Sequence, residues 1–145
     1  MYKEGCGTMK YLGSKTLETN RLILKAQSMK EQKRLWEILM IPEVNRYFLT
    51  VPVKFRDKLK DWNIQKKYYE EDMKYANDNN VFRWSIFLKE IGECIGRISC
   101  HEGHDEDENI NDPNIRGVGW IIDPKYHGNG YGTEAAEAMV DFMFL

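Results

Sequence analysis

Long apolar runs are missing from this chain of 145 residues. No stretch approaches the roughly 18 consecutive apolar residues that a membrane-spanning helix requires. The N-terminal stretch "MYKEGCGTMKYLGSK" also lacks the apolar core of a secretory signal peptide. We therefore expect no membrane partner for this chain.

Cysteine and excess positive charge are scarce as well. The cysteines number three, at Cys6, Cys94 and Cys100, and an odd number without a Cys-x-x-Cys pair argues against a disulfide framework. Free thiols are typical of the reducing cytoplasm, where we expect the protein to reside. The net charge is −2, and basic residues are interleaved with acidic ones, so no nucleic-acid partner is expected.

The composition is that of an ordinary globular domain, with 42% hydrophobic and 30% charged residues. The length suits one domain. Gly5, Gly7 and Gly13 are scattered among polar residues near the start, which predicts a weakly structured extension over residues 1–15. Residues 16–145 form the predicted domain.

Hydrophobic periodicity predicts both strands and helices. Residues 82–88 alternate between two faces, which is the pattern of a half-buried strand, and Ser28 with Glu31 matches a helix capping box. In chain order we predict a strand at 21–26, a helix from 28 to Pro42, a helix within 57–76, strands at 82–88, 94–100 and 117–122, and a helix from about Gly132. The predicted fold class is α/β in the broad sense (α+β), with a mixed, largely antiparallel sheet and flanking helices.

A loop of alternating glycines precedes the last predicted helix, in the stretch "YHGNGYGTEA". Gly128, Gly130 and Gly132 can take positive φ and let a ligand approach the backbone closely. Successive amides in such a turn form an anion nest, and the helix that follows adds its positive dipole end. The sequence therefore predicts a phosphate cradle that needs no basic side chain.

Other interpretations of this loop fit less well. A P-loop requires a lysine after the glycines, and none follows here. The dinucleotide fingerprint has a third glycine where this chain has Thr133, and it follows the first strand of a βαβ unit instead of a meander. A tight strand-to-helix turn without any ligand is the remaining alternative.

The loop and its flanks resemble the GNAT superfamily of acyl-CoA N-acyltransferases. The family motif Q/R-x-x-G-x-G/A corresponds to His127–Gly132, and "GWIIDPKYHGNGYGTEA" (119–135) extends the match. The stretches "LETNRLIL" (17–24) and "GECIGRI" (92–98) support it. These surroundings resemble the branch related to ribosomal-protein N-terminal acetyltransferases, and the resemblance runs from about residue 16 to the end.

The resemblance implies direct transfer of an acetyl group from acetyl-CoA to a primary amine, within a ternary complex and without a metal. The loop and the helix start would bind the CoA pyrophosphate, and the preceding strand would pair with the pantetheine arm. The implied cofactor-binding residues are Trp120, Ile121, Ile122, His127, Gly128, Asn129, Gly130, Tyr131, Gly132 and Thr133. The acceptor would be a protein N-terminus or a small amine.

The chain departs from the family pattern in three places. His127 stands where the family usually has Gln or Arg, and Gly117 stands where this branch often has an acid. In the family a further strand, helix and hairpin follow the helix with which this chain ends, so we predict a domain that is incomplete at its C-terminus.

We expect a homo-oligomer, such as a dimer, in which a second copy covers the exposed edge of the fourth predicted strand. The alternative functions are a non-catalytic CoA-binding or interaction module and an inactive truncated acetyltransferase.

The sequence leaves the catalytic groups open. His101 and Glu102, at the end of a predicted strand, are candidates for the base that takes the amine proton, with surface residues as the alternative. The same residues, with His104 and the acids at 105–108, would offer oxygen and nitrogen ligands to a metal, but the spacing does not match an EF-hand loop and a solvated loop fits better.

Several other side chains have a structural and a functional interpretation. We expect Cys100 to be a buried small residue and not a nucleophile, and Trp84 and Trp120 to lie in the core. Tyr131 lies either beside the cofactor or on the surface. Tyr68 and Tyr69 either pack on the second helix or line an acceptor pocket.

Overall fold

Five strands form a single sheet in chain order, β1-β2-β3-β4-β5, and every neighbouring pair is antiparallel. The computed structural model describes residues 10–46, 53–102 and 116–145. The strands are β1 (Leu17–Glu18), β2 (Leu22–Ala26), β3 (Phe82–Leu88), β4 (Glu93–Glu102) and β5 (Arg116–Ile122). The predicted fold class is confirmed, and the short strand β1 was not predicted.

Helices precede and follow the three-strand meander. They are α1 (Met29–Leu39), α2 (Pro42–Asn45), α3 (Val53–Lys60), α4 (Trp62–Asp72) and α5 (Tyr131–Phe144). Short 3₁₀ turns lie at Met73–Tyr75 and Pro124–Tyr126. Among the described residues no helix is long and apolar enough to span a bilayer.

The second predicted helix is two helices. Asp61 interrupts it because its side chain caps α4, accepting a hydrogen bond of 2.9 Å from the Asn63 amide. Pro42 ends α1 as predicted and also opens α2, since proline is well tolerated in the first turn. The predicted capping box forms differently, because the Ser28 hydroxyl donates to the Glu31 carboxylate and accepts from no backbone amide of the first turn.

The two faces of the sheet carry separate cores. On one face the apolar side of β3 packs with β2 and β4 against α5, which confirms the predicted alternation. On the other face α1 and α2 pack on β4 and β5 through Leu35, Ile38, Val44 and Cys94. Consecutive residues of β5 point to opposite faces of the sheet. Ile121 packs in the core formed with α1, and Ile122 packs in the core formed with α5.

Residues 10–15 contain no helix or strand, yet hydrogen bonds attach them to the domain. The Ser14 hydroxyl donates to the Val81 carbonyl at 2.7 Å, and the Trp84 indole donates to the Lys15 carbonyl at 2.7 Å. Trp84 is fully buried, as predicted. Residues 1–9, which belong to the predicted extension, lie outside the described part of the chain.

Candidate functional site

The glycine loop connects the end of β5 to the start of α5. Gly128 has φ +81° and Gly130 has φ +78°, and Gly130 is the N-cap of α5. Residues other than glycine rarely adopt this left-handed backbone conformation, which explains why glycine occupies both positions. The first helical hydrogen bond runs from the Glu134 amide to the Gly130 carbonyl at 3.0 Å. The amides before Glu134 therefore lie at the open end of the helix, where an anion is stabilised.

Gly132 has a different role from the other two glycines. It lies inside α5, and a Cβ built on it would be 2.4 Å from the Trp120 Nε1 atom. The indole therefore lies directly against the first turn of the helix. Trp120 itself is 49% exposed, so its prediction as a core residue is wrong. The reason is that β5 lies at the edge of the sheet among the described strands, where nothing covers its outer side.

Side-chain hydrogen bonds hold the loop in shape. His127 Nε2 lies 2.7 Å from the Ile122 carbonyl oxygen, and because a carbonyl only accepts, Nε2 carries the proton. The Asn129 amide donates to the Tyr126 carbonyl at 3.0 Å. The buried Asp123 accepts from the Lys125 amide at 3.0 Å and pairs with Arg34 of α1. Contacts within the chain itself therefore hold the loop in this shape.

An arginine lies beside the loop. The guanidinium of Arg21, which precedes β2, stacks 4.5 Å from the centroid of the Tyr131 ring. Its Nη2 atom would be 3.7 Å from a Cβ on Gly130, so a positive charge accompanies the phosphate cradle. Sequence reasoning gave the cradle no basic side chain. The signal was present, since Arg21 belongs to the stretch "LETNRLIL".

Glu134 fixes this arginine in place. Its carboxylate accepts from the Arg21 Nε at 2.8 Å and from the Thr19 hydroxyl at 2.6 Å. Burial raises the pKa of Glu134, but the hydrogen bonds from Thr19 and Arg21 outweigh that effect and hold the pKa below its usual value. Glu134 is therefore ionised at neutral pH and neutralises part of the Arg21 charge.

A cleft of about 370 Å³ lies between α2, the end of β5 and the glycine loop. It gathers nine of the ten residues that the resemblance assigned to the cofactor, all except Asn129, together with Val44 and Tyr126: Val44, Trp120, Ile121, Ile122, Tyr126, His127, Gly128, Gly130, Tyr131, Gly132 and Thr133. β5 pairs only with β4 among the described strands. Its outer edge therefore offers unpaired backbone groups along one wall of the cleft.

The predicted base candidates lie on the neighbouring strand. His101 and Glu102 end β4, where His101 is the cross-strand partner of Gly117 and Glu102 that of Arg116. The candidate metal loop that continues from them lies outside the described residues. Within the described ranges no cluster of three or more His, Cys, Asp or Glu residues could hold a metal ion.

The remaining candidates fall on the α1 side of the sheet and in the core. Cys100 is 7% exposed, which confirms its prediction as a buried small residue. Tyr68 is 62% exposed, whereas Tyr69 lines a second, polar pocket together with Arg97. Sequence reasoning missed Arg97. The signal for it was the alternation of β4, in which Arg97 and Ser99 alternate with the core residues Ile98 and Cys100 and therefore lie on the opposite face of the sheet.

A family model for the acetyltransferase (GNAT) domain matches residues 21–145. The chain belongs to the GNAT acetyltransferase family. This GNAT chain is 24% identical over 132 residues to "Uncharacterized N-acetyltransferase YnaD" of Bacillus subtilis (strain 168), with 88% of the chain and 65% of YnaD covered. It is also 24% identical to "Uncharacterized protein YkkB" of the same strain, with 88% and 67% covered. The chain thus spans 65% of the length of YnaD.

Solved GNAT structures share the fold. An acetyltransferase (GNAT family) from Bacillus anthracis superposes with a TM-score of 0.62 at 18% identity, covering 88% of this chain and 64% of that one. An acetyltransferase from Agrobacterium tumefaciens str. C58 superposes with a TM-score of 0.59 at 25% identity, covering 88% and 65%. The GNAT resemblance of the sequence is therefore confirmed for both family and fold.

Proposed function

We propose that this GNAT chain transfers an acetyl group from acetyl-CoA to a primary amine in the cytoplasm. The observation that carries the proposal is the cleft in which the positive-φ glycines, the start of α5 and the free edge of β5 meet. The residues of this cleft suit CoA, because a diphosphate needs converging amides and pantetheine needs a strand edge. The same loop and its flanks favour the branch related to ribosomal-protein N-terminal acetyltransferases.

The pyrophosphate of CoA would bind the loop. Gly128 and Gly130 turn the backbone so that amides converge, and the dipole of the 14-residue helix α5 favours negative charge at its start. Arg21 adds a cation within reach of the loop. No side chain on Gly128 or Gly130 blocks the approach of the phosphate oxygens.

The pantetheine arm would run along β5. Its amides can donate to and accept from the outer edge of Trp120, Ile121 and Ile122, as an added strand does. The cleft is lined by these three residues, and this direction leads the thioester away from the glycine loop toward Gly119 and Gly117.

The reaction is a direct displacement. The nitrogen of the neutral amine attacks the thioester carbonyl carbon, an N–C bond forms and the C–S bond breaks. The amine loses one proton to a base, and the CoA thiolate leaves and takes up a proton. No change of oxidation state occurs. We propose His101 or Glu102 as the base, because both end β4 opposite the first residues of β5.

The glycine at position 117 supports a second candidate function, a module that binds CoA but does not catalyse acyl transfer. This position carries no side chain, so a base commonly proposed for this branch is missing there. The two functions predict the same CoA affinity and differ in product formation alone.

We propose further that a second copy covers the edge of β5. Val118 is 40% exposed, and an apolar residue on a strand edge favours pairing with another chain. Pairing along residues 116–119 would leave 120–122 to pantetheine. Light scattering tests the assembly, and a monodisperse monomer would contradict it.

Calorimetry with CoA and an acetyl-transfer assay test the main proposal. We expect CoA to bind, and free thiol to appear when acetyl-CoA and a suitable amine are both present. Absence of CoA binding would refute both functions. Binding without thiol release from any amine of a broad panel would favour the non-catalytic module.

A further inference from the structure

A second pocket, of about 230 Å³, lies between α1, α4 and the strands β3 and β4. Every described residue that lines it is polar or charged: Gln27, Gln32, Tyr69, Asp72, Arg83, Arg97 and Ser99. Apolar residues fill both cores around the sheet. The buried members of this lining are Gln27 and Gln32, and the others are partly exposed. A pocket with a wholly polar lining next to two apolar cores requires an explanation of its own, since polar groups withdrawn from water cost free energy unless they have partners.

The charges of this pocket do not balance. Its described lining contains the guanidiniums of Arg83 and Arg97 and a single carboxylate, Asp72. Asp72 already forms an ion pair with Arg83. Arg97 therefore contributes a positive charge that no further carboxylate of this lining neutralises.

The surroundings of Arg97 are unfavourable for a lone cation. Burial lowers the pKa of Arg97, and Arg83 lowers it further, against opposing effects of Tyr69 and Asp72. Burial raises the pKa of Tyr69, which therefore stays a neutral hydrogen-bond donor. An anion held between these two side chains would remove the unfavourable field.

A buried hydroxyl beside Arg97 also lacks a partner. Ser85 is the cross-strand neighbour of Arg97 on β3, and it is 0% exposed. Its Oγ atom makes no hydrogen bond within the described part of the molecule. Cross-strand neighbours point to the same face of a sheet, so this hydroxyl belongs to the polar side of β3 and β4.

The pocket adjoins the proposed cofactor cleft. Arg97 pairs across the strands with Ile121, and Ser99 pairs with Gly119. Ile121 lines the cleft, and cross-strand Cβ atoms lie only about 5 Å apart. A Cβ on Gly119 would meet nothing within 4 Å, and Gly119 itself places no side chain between Ser99 and the outer edge of β5.

We propose that this pocket binds the carboxylate of the acceptor, and that the acceptor is a primary amine of amino-acid size. Arg97 would hold the carboxylate through its planar fork, which matches two oxygens at once, and Tyr69 and Ser99 would donate from the sides. The volume is below the roughly 300 Å³ of pockets for drug-sized ligands. The amine would then point across β4 toward the thioester. This inference rests on the proposed acyl transfer in the neighbouring cleft.

Calorimetry on the protein saturated with CoA tests the assignment. The probes are glycine, L-leucine and L-glutamate, each compared with its methyl ester, and aminomethylphosphonate. We expect at least one amino acid to bind at least about tenfold more tightly than its ester, which lacks the charge that Arg97 would meet. Equal binding of acids and esters, no binding of any acid, or tighter binding of the phosphonate than of glycine would overturn the proposal.

Variants of Arg97 show whether this side chain carries the selectivity. Arg97→Gln should lose the preference for the acid over the ester, and Arg97→Lys should keep part of it because the charge remains. Lys67→Gln removes one charge from the exposed side of α4 and should behave as the wild type. CoA affinity, measured on each variant, reports whether the fold is intact. An Arg97→Gln protein that binds CoA normally and still prefers the acid would refute the role of Arg97.

The two proposals fail in different ways. If CoA does not bind but an amino acid does, the carboxylate pocket stands and acyl transfer falls. If CoA binds and acids are not preferred over esters, acyl transfer stands and the carboxylate pocket falls.

Discussion

Glu134 of α5 accepts hydrogen bonds from both the backbone and the side chain of Arg21. The Arg21 amide lies 3.0 Å from Oε2 and the Arg21 Nε lies 2.8 Å from Oε1. Thr19 donates to the same carboxylate at 2.6 Å. One carboxylate thereby joins the turn between β1 and β2 to the first turn of α5, and it holds the Arg21 guanidinium beside the glycine loop.

Replacing this carboxylate should destabilise the domain in a pH-dependent way. Glu134→Gln should lower the free energy of unfolding at pH 7 by about 1–2 kcal/mol, because charge-assisted hydrogen bonds become neutral ones. The pKa of Glu134 is lowered in the folded state from its ordinary value of 4.5. Its contribution is therefore fully present above that value and is lost as the pH falls through the lowered folded pKa. Urea unfolding from pH 7 down to the acid range measures the difference.

Glu137→Gln is the matched control for that experiment. Glu137 lies on the exposed side of the same helix, so its replacement should change the unfolding free energy little at any pH. A difference between wild type and Glu134→Gln that grows as the pH falls would contradict the assigned role of the carboxylate.

Substitutions at Gly128 can separate backbone strain from steric obstruction of the cleft. Gly128→Ala should cost about 1–2 kcal/mol of stability, because φ +81° disfavours a Cβ. Gly128→Asn should recover part of that stability, since asparagine tolerates the left-handed region. Both variants should lose CoA affinity, because in the proposed complex their side chains would point into the space that the phosphates need. Calorimetry and thermal unfolding of the two variants give the answer, and an asparagine variant with full CoA affinity would argue against a phosphate at this position.

Gly132 and Trp120 should behave as a coupled pair. Gly132→Ala places a methyl group 2.4 Å from the indole nitrogen, and we expect a loss of about 1–3 kcal/mol from such overpacking. With Trp120→Ala as the background, the same change should instead stabilise the protein by about 1 kcal/mol, because alanine is the better helix former. A double-mutant cycle by chemical denaturation measures the coupling. Additive effects would show that the indole does not restrict position 132.

The residues that sequence reasoning grouped around the glycine loop line one cleft because their determinants are local. The glycines at 128 and 130 indicate positive φ by residue type alone, and both have it. The strand β5, the loop and α5 also follow one another directly in the chain. Ile121, Ile122 and Thr133 therefore reach the same cleft without any long-range prediction. Their role in CoA binding stays a prediction that the calorimetry above tests.

The parts that sequence reasoning missed depend on contacts between distant segments. Arg21 is separated from Glu134 by more than a hundred residues, and no periodicity marks such a pair. Trp120 looked like a core residue because bulky aromatics usually are, but its strand lies at the edge of the described sheet. Arg97 stands in the middle of β4 and meets Tyr69 only because α4 packs over that face.

Gly96 should be more sensitive to substitution than any residue of the glycine loop. A Cβ at Gly96 would lie 2.0 Å from the Ile121 carbonyl oxygen, and a backbone atom cannot rotate away. Gly96→Ala must therefore push β5 away from β4, and we expect a loss of about 3 kcal/mol together with weaker CoA binding, because Ile121 lines the cleft. Gly119→Ala, on the facing strand, meets nothing within 4 Å and should change stability by less than about 0.5 kcal/mol. Chemical denaturation of both variants measures the contrast. Equal unfolding free energies of the two variants would mean that β4 and β5 leave room for a Cβ at Gly96.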